Sequence, residues 1–197
     1  MKKQLQLKRQ LARILAVLVS LPLFAGLGAC SVRFSIGSSH PVSSSPVNAP
    51  KGWKKFTSKD LGYSAYFPGT PIRDTYEDRA GTYKRDAIVD SNENMVYAVS
   101  YGQFSASQDG DADALTDTQK KELLLKFARL IGVKDEKLNY TTIDGHMSFV
   151  YTTTAEENAA IKIYRGIVLG KHGFYALDAF GVSEADAKTF RDTFRIL

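Results

Sequence analysis

Few residues of this chain are of the types that do metal or nucleophilic chemistry, and their spacing favours neither. The 197 residues include one cysteine, Cys30, and three histidines, His40, His146 and His172. No two of these stand at the spacing of metal ligands, and there is no second thiol to complete a site. The sequence therefore predicts no metal site, and we find no cofactor-binding or catalytic motif in it.

A hydrolytic triad can be drawn only if distant residues meet in the fold. Ser148, His172 and Asp178 are the residue types of a Ser-His-Asp triad. The nucleophile elbow G-x-S-x-G, which exposes an activated serine on a tight turn, does not occur. We therefore expect these three residues to serve the structure.

Alternating carboxylates from Asp109 to Asp113 suggest a calcium loop. An EF-hand loop needs glycine at its sixth position and an acidic ligand at its twelfth. Counted from Asp109, those positions are Ala114 and Lys120. The acids are better explained as a solvated loop whose charge favours the start of the helix that follows.

The first 29 residues have the three parts of a secretory signal. Five Lys or Arg residues and no acid lie between Met1 and Arg13, and an apolar run extends from Ile14 to Leu27. Small residues precede Cys30, as at a cleavage site. The run is short for the ~30 Å of a bilayer core and lacks a basic stop-transfer flank. An ordinary signal peptide and a permanent signal anchor are the alternatives.

Leu27-Gly28-Ala29-Cys30 resembles the lipobox of bacterial lipoproteins. The resemblance implies that the Cys30 thiol takes a diacylglyceryl group, that cleavage precedes it, and that the new amine is acylated, commonly with palmitate. Several acyl chains give stable anchoring, because each buried CH₂ adds ~0.8 kcal/mol. Ser31 stands where inner-membrane retention signals have Asp, which favours the outer membrane, facing the periplasm, over the inner membrane.

Charge argues against nucleic acid as a partner. The net charge of +5 comes from the five basic residues of segment 1–29, and its removal leaves 21 basic and 21 acidic residues. Nucleic-acid binding normally needs a clustered basic surface, and we expect none after cleavage. No cysteine follows Cys30, so the domain must hold together without disulfides, and about 150 residues suffice for that.

The mature chain divides into a tether and a domain. Residues 30–50 carry the lipid and a Ser/Pro-rich stretch without hydrophobic periodicity, which is typical of an extended linker. A strand at Val32–Ile36 is the alternative. Residues 51–197 form the globular domain.

Strand and helix signals in 51–197 predict an α+β domain with a mostly antiparallel, twisted sheet flanked by helices. Met95–Phe104 is apolar on both faces, as in a central strand. A capping box at Thr116 starts the first helix. The last helix starts at Ser183 and should bury its apolar stripe, which we extend to Phe194.

A polar hairpin from Ile72 to Asp90 is expected at an exposed edge, with little of it buried. Its two tyrosines, Tyr76 and Tyr83, are the candidate contacts for a partner protein, since exposed aromatic side chains anchor many interfaces. The alternative is that they pack across the strands without any partner.

Several segments of the domain form a recognisable pattern: Trp53-x-x-Phe56, Gly62 to Pro71, Ile143-Asp144-Gly145-His146, Phe174 to Leu177, and Phe190 to Phe194. This pattern resembles the PsbP-like superfamily and, among envelope lipoproteins, the DcrB type. The resemblance implies an α-β-α sandwich and a binding or assembly role without an active site. We thus expect a non-enzymatic envelope lipoprotein that binds or helps assemble another envelope component. The alternative is a periplasmic enzyme or small-ligand carrier with an unrecognised pocket.

Overall fold

The computed structural model describes residues 49–78, 81–91, 94–104, 111–155 and 158–197, with only the backbone of 76–78 and 81. Three features named above lie outside these residues: Cys30 with the signal segment, the stretch 31–48 of the tether, and Asp109. The described residues therefore cover most of segment 51–197, with gaps at 79–80, 92–93, 105–110 and 156–157.

Ten strands and two α-helices make up the described part of the domain. The strands are β1 (Lys54–Ser58), β2 (Tyr63–Phe67), β3 (Ile72–Asp78), β4 (Gly81–Val89), β5 (Met95–Gln103), β6 (Asn139–Ile143), β7 (His146–Thr154), β8 (Lys162–Gly170), β9 (Gly173–Phe180) and β10 (Arg195–Ile196). The helices are α1 (Asp117–Leu130) and α2 (Glu184–Asp192), and short 3-10 helices span Ala112–Ala114 and Asp135–Lys137. The predicted α+β class is confirmed.

The strands form two antiparallel sheets. The larger has seven strands in the order β3-β4-β5-β9-β8-β7-β6, and the smaller has the order β1-β2-β10. The small sheet and α2 pack on one face of the large sheet, and α1 packs on the other. Helices thus cover both faces, as in an α-β-α sandwich. Both β3 and β6 are edge strands, so the predicted edge position of the polar hairpin is correct for its first strand.

Local sequence signals explain the starts of both helices, the end of α1 and the turn between β6 and β7, and both predicted helix starts are confirmed. Thr116 and Gln119 form a reciprocal capping box at α1, and the side chain of Ser183 caps α2. Gly132 ends α1 with a φ of 75°, a left-handed conformation that glycine adopts without strain. Asp144 and Gly145 both have positive φ, as the two-residue turn between β6 and β7 requires.

Two hydrophobic clusters fill the space between the layers. On the small-sheet side, aromatic rings dominate, with Tyr63, Phe67, Phe190 and Phe194 almost completely buried. On the α1 side, aliphatic residues of the helix lie over Phe149 and Ile167. Strand β5 contributes to the sheet interior from both faces, since its residues 97–100 are all buried. The predicted central strand is confirmed.

The predicted end of the last helix is wrong. Helix α2 stops at Asp192, and Phe194 lies in the turn that leads into β10. The hydroxyl of Thr193 donates to the Phe190 carbonyl at 2.7 Å and accepts from the Tyr66 amide at 3.1 Å. These bonds end the helix and turn the chain toward β2. Phe194 is still buried, but a turn and a strand hold it there instead of a helical stripe.

Candidate functional site

The hairpin of β3 and β4 is more deeply buried than its composition suggests. Arg85, Asp86 and Ala87 are at most 7% exposed, which contradicts the expectation that little of this hairpin is covered. The reason is that β4 is an inner strand, with β3 on one side and β5 on the other. Its charged residues are therefore inside the sheet, where a charge needs a partner.

The charged residues of the hairpin neutralise each other across the two strands. Arg73 lies opposite Asp86 and Asp74 lies opposite Arg85, so two Arg-Asp dipeptides pair in antiparallel register. Arg85 donates from Nε and Nη2 to the two Asp74 oxygens at 3.0 and 2.6 Å. Because adjacent residues of a strand point to opposite faces, one ion pair lies on each face of the sheet.

Asp86 is the centre of a polar network between the two sheets. Its Oδ2 accepts from the Tyr63 hydroxyl at 2.7 Å and from Arg73 Nη2 at 2.7 Å. The same guanidinium donates to Asp60 Oδ2 at 2.6 Å and to Ser58 Oγ at 2.6 Å. The network therefore joins β1, β2 and the β1–β2 turn to the hairpin of the large sheet.

Two tyrosines between the small sheet and the large sheet, Tyr63 and Tyr175, keep their hydroxyl groups protonated. Burial, with the hydrogen bond to Asp86, raises the pKa of Tyr63 far above its ordinary value. Burial raises the pKa of Tyr175 to about 12, and its hydroxyl donates to the Leu61 carbonyl at 2.6 Å. Both groups act as fixed hydrogen-bond donors over the physiological range, and neither is poised to exchange a proton.

A third ion pair, largely buried, lies on the α1 side of the large sheet. Arg165 of β8 faces Asp178 of β9 directly in the register and donates to both of its oxygens. Arg165 Nη1 also donates to the Tyr151 hydroxyl at 3.2 Å. The neighbouring carboxylate keeps the pKa of Arg165 above its ordinary value even though burial alone would lower it. This three-strand contact holds β7, β8 and β9 together.

The candidate partner contacts lie on the same hairpin. Tyr83 is half-buried, and its ring lies so close to Gly102 of β5 that a Cβ there would come within 2.6 Å of the ring. Tyr76 stands opposite Tyr83 in the register, and its side chain is outside the described atoms. Tyr83 therefore contributes to cross-strand packing and exposes only part of its ring.

We expect the double substitution Tyr76→Ala with Tyr83→Ala to leave the domain folded but to remove its crosslinks to a partner. Cross-strand aromatic contacts contribute under about 1 kcal/mol each, so the free energy of unfolding should change little. Crosslinking and mass spectrometry on intact cells measure the contacts with a partner, and urea unfolding of the purified protein measures its stability. Tyr140→Ala is the control, because it removes a half-buried tyrosine from the opposite edge strand. A double mutant that keeps every crosslink would place the partner site elsewhere.

The described acids before α1 support local structure. The Asp111 carboxylate accepts from the Asp113 amide at 2.9 Å and so caps the 3-10 helix, and it pairs with Lys171 at 3.3 Å. Beside it, Asp113, Asp117 and His146 line an open cleft of about 320 Å³. Among the described residues, no three His, Cys, Asp or Glu side chains are grouped closely enough to hold a metal ion.

The three residues of the possible hydrolytic triad, Ser148, His172 and Asp178, do not form one site. Ser148 pairs with Val168 and Val168 with Tyr175, so Ser148 points to the face that carries Tyr175. Asp178 is three residues further along β9 and points to the other face. Ser148 donates to the His146 carbonyl at 2.9 Å, and His172 is exposed in the turn between β8 and β9. The sheet itself separates the serine from the aspartate.

The buried ion pairs were missed from the sequence, although a signal for them exists. In the antiparallel pairing of β3 with β4, the residue numbers of facing positions always add up to 159, as for Asp78 and Gly81. The dipeptides Arg73-Asp74 and Arg85-Asp86 satisfy this condition and are self-complementary. Arg165 and Asp178 face each other by the same rule across the turn at Lys171-His172. The polar composition of the hairpin was interpreted as exposure, and the charge pairing across its strands was overlooked.

Comparisons with known proteins concern the fold alone. No protein-family model matches the sequence, and none of the curated proteins matches it. Among solved structures, the chain is similar to the solution structure of cyanobacterial PsbP (CyanoP) from Synechocystis sp. PCC 6803. The identity is 11% and the TM-score 0.44, over 80% of this chain and 100% of that chain. A crystal structure from Bacteroides thetaiotaomicron VPI-5482 has 14% identity and a TM-score of 0.43, over 74% of this chain and 49% of that chain.

Proposed function

We propose that this chain is a bacterial envelope lipoprotein of the DcrB type, anchored through acyl chains on Cys30. The observation that carries this proposal is the motif Leu27-Gly28-Ala29-Cys30 at the end of a basic and then apolar leader. Among the described residues, the core begins at Trp53, which lies 23 residues after the proposed lipidated cysteine. No helix among the described residues is long and apolar enough to cross a membrane.

We further propose that the domain binds or helps assemble another envelope component and does not catalyse a reaction. The support is chemical. The three buried charged side chains of the described residues, Arg85, Asp86 and Asp178, each have an oppositely charged partner. Buried charges that are paired within the protein stabilise its structure. A catalytic acid or base must instead lie within hydrogen-bond distance of the substrate proton that it transfers.

For the alternative function, a periplasmic enzyme or small-ligand carrier, the cleft beside α1 is a candidate site among the described residues. Its volume of about 320 Å³ is at the lower end of the ~300–1,000 Å³ found for ligand pockets. Its lining includes Asp113, Asp117, Lys120 and His146 and is therefore more polar than most such pockets. A periplasmic metabolite that raises the midpoint of thermal unfolding, with the rise abolished by His146→Ala, would favour this alternative over the binding role.

Substituting Cys30 with serine should abolish lipid modification and leave a soluble or uncleaved precursor. Serine keeps the size and polarity of the position but has no thiol for thioether formation. Mass spectrometry of the protein from the membrane fraction is the measurement. Ser39→Ala, a change within the tether, is the control and should leave the lipidated mass otherwise unaltered. An unmodified Cys30 in the wild-type mature protein would refute the lipoprotein proposal.

The same membranes separated on a density gradient test the proposed location. With serine at position 31, the wild-type protein is expected in the outer membrane, facing the periplasm. The substitution Ser31→Asp should move the protein to the inner membrane, because it introduces the residue typical of the retention signal. Wild-type protein in the inner-membrane fraction would contradict the sorting proposal and leave the anchor itself unaffected.

A further inference from the structure

The balanced charge of the mature chain conceals a strong asymmetry along it. Residues 30–59 contain five Lys or Arg and no Asp or Glu, whereas residues 60–197 contain sixteen basic and twenty-one acidic residues. The expectation that no basic cluster remains after cleavage is therefore wrong. The positive charge is concentrated next to the proposed anchor, and the rest of the domain carries a net negative charge.

Four of these basic residues form what we call the lysine strip: Lys51, Lys54, Lys55 and Lys59. All four are exposed, and they lie on β1 and at its two ends, along the edge of the small sheet. The residues of β2 opposite β1 are uncharged, from Tyr63 to Phe67. Within the described residues, none of the four lysines forms an ion pair. The nearest acid in sequence, Asp60, is engaged by Arg73 at 2.6 Å.

The apolar residues between these lysines are turned inward. The Trp53 ring packs on Tyr97 with ring centroids 5.1 Å apart, and the Phe56 ring packs on Phe67 at 5.9 Å. Lys54 shares the face of Phe56 and Lys55 points to the opposite face, because adjacent residues of a strand alternate. Both are exposed, so it is the open edge of β1 that offers ammonium groups without an aromatic or arginine anchor. Protein interfaces are depleted in lysine and draw their affinity from such anchors. A field of negative charge, such as an anionic bilayer surface, suits this surface better than a protein groove.

We propose that the lysine strip is a contact surface for anionic phospholipid headgroups. The proposal rests on the lipoprotein function proposed above, which brings the membrane close. A flexible chain the length of 31–50 has a root-mean-square span of about 25 Å, so the anchor and the strip can engage one membrane together. The contact would turn the β1 edge toward the bilayer and the net-negative remainder of the domain away from it.

Lysine footprinting on the whole protein tests the proposal. The protein, purified from cells, is mixed with vesicles of phosphatidylcholine alone or of phosphatidylcholine with phosphatidylglycerol, and its lysines are acetylated and quantified by mass spectrometry. In the anionic vesicles, we expect acetylation of Lys51, Lys54, Lys55 and Lys59 to slow about fivefold or more, which corresponds to the attraction of one lysine near such a surface. High salt should abolish this protection, because screening shortens the range of the attraction.

The chain contains its own internal control. Lys126, Lys134, Lys137 and Lys162 are equally exposed and lie on other elements, so their acetylation should be the same in both vesicles. Replacing the four lysines of the strip with glutamine should remove the preference for anionic vesicles, whereas the same change at the four control lysines should not. Equal acetylation of the strip in both vesicles would overturn the proposal, and so would equal protection of the control lysines.

Two further readouts separate the proposal from its rivals. The chain has a single tryptophan, Trp53, within the strip, so quenching of its fluorescence by brominated acyl chains would indicate insertion and contradict a headgroup contact. Random-sequence duplex DNA that protects the strip as strongly as the anionic vesicles would assign it to nucleic acid instead. Since the vesicles are added from outside, the outcome does not depend on acylation of Cys30, which the mass of the intact protein reports separately.

Discussion

Substituting Phe194 with alanine is expected to lower the free energy of unfolding by about 3–5 kcal/mol. The side chain is 1% exposed, and its ring contacts Tyr63 and Tyr175 with centroids 5.6 and 5.3 Å apart. Truncation would leave a cavity at the junction of the small sheet, the large sheet and the end of α2. Because a domain of this kind is stable by only ~5–15 kcal/mol in total, the midpoint of urea unfolding should fall sharply.

Leu197→Ala is the matched control for this variant. Leu197 is the last residue of the chain, and its side chain is 67% exposed, so its truncation should change stability by less than about 0.5 kcal/mol. Both variants shorten an apolar side chain within the last four residues. A midpoint for Phe194→Ala close to that of Leu197→Ala would mean that the C-terminal turn does not pack as described.

Asp86→Ala is expected to cost about as much, about 3–5 kcal/mol, for an electrostatic reason. The carboxylate is 1% exposed and accepts from the Tyr63 hydroxyl and from the Arg73 guanidinium. Removing it leaves a buried hydroxyl without its acceptor and a guanidinium with only the exposed Asp60 as its charged partner. Tyr63→Phe removes a single hydrogen bond from the same network and should cost only about 1 kcal/mol.

The pair of Arg129 and Asp135 provides the control for burial. Its two side chains are 61% and 52% exposed at a distance of 2.6 Å, so Asp135→Ala should cost at most about 1 kcal/mol. Urea unfolding of the three variants in the same buffer ranks them directly. If Asp86→Ala and Asp135→Ala destabilise the domain equally, the Asp86 network is solvated and does not join the two sheets.

The parts of the fold that the sequence predicts well are those decided by neighbouring residues. The capping box at Thr116, the left-handed Gly132 and the Asp144-Gly145 turn each depend on side chains within a few positions of one another. Strand β5 was recognised because a strand covered on both faces needs apolar residues at every position, and this requirement is visible in a short window.

The parts that the sequence predicts poorly are decided by residues far apart in the chain. Ile196 pairs with Tyr63, and nothing near the C-terminus indicates that two residues there form a strand. Asp86 looked exposed because its partners Arg73 and Tyr63 are supplied by other strands. The lysine strip could not be predicted from the sequence for the same reason. The total charge of the mature chain is zero and conceals it, and its lysines form one surface only because β1 lies at the edge of the small sheet.

The pairing of β10 with β2 has a consequence for the order of events during biosynthesis. Residues 63 and 64 find their partners only at residues 195 and 196, which are made after every other described strand of the domain. Until then the small sheet is a two-stranded hairpin, which is marginally stable in water, and the site that Phe194 fills is empty. A chain emerging from the ribosome therefore lacks a finished small sheet until residues 195 and 196 are available. Loss of residues 194–196 would therefore leave the small sheet without its third strand and the core without the Phe194 ring, which makes it a folding defect.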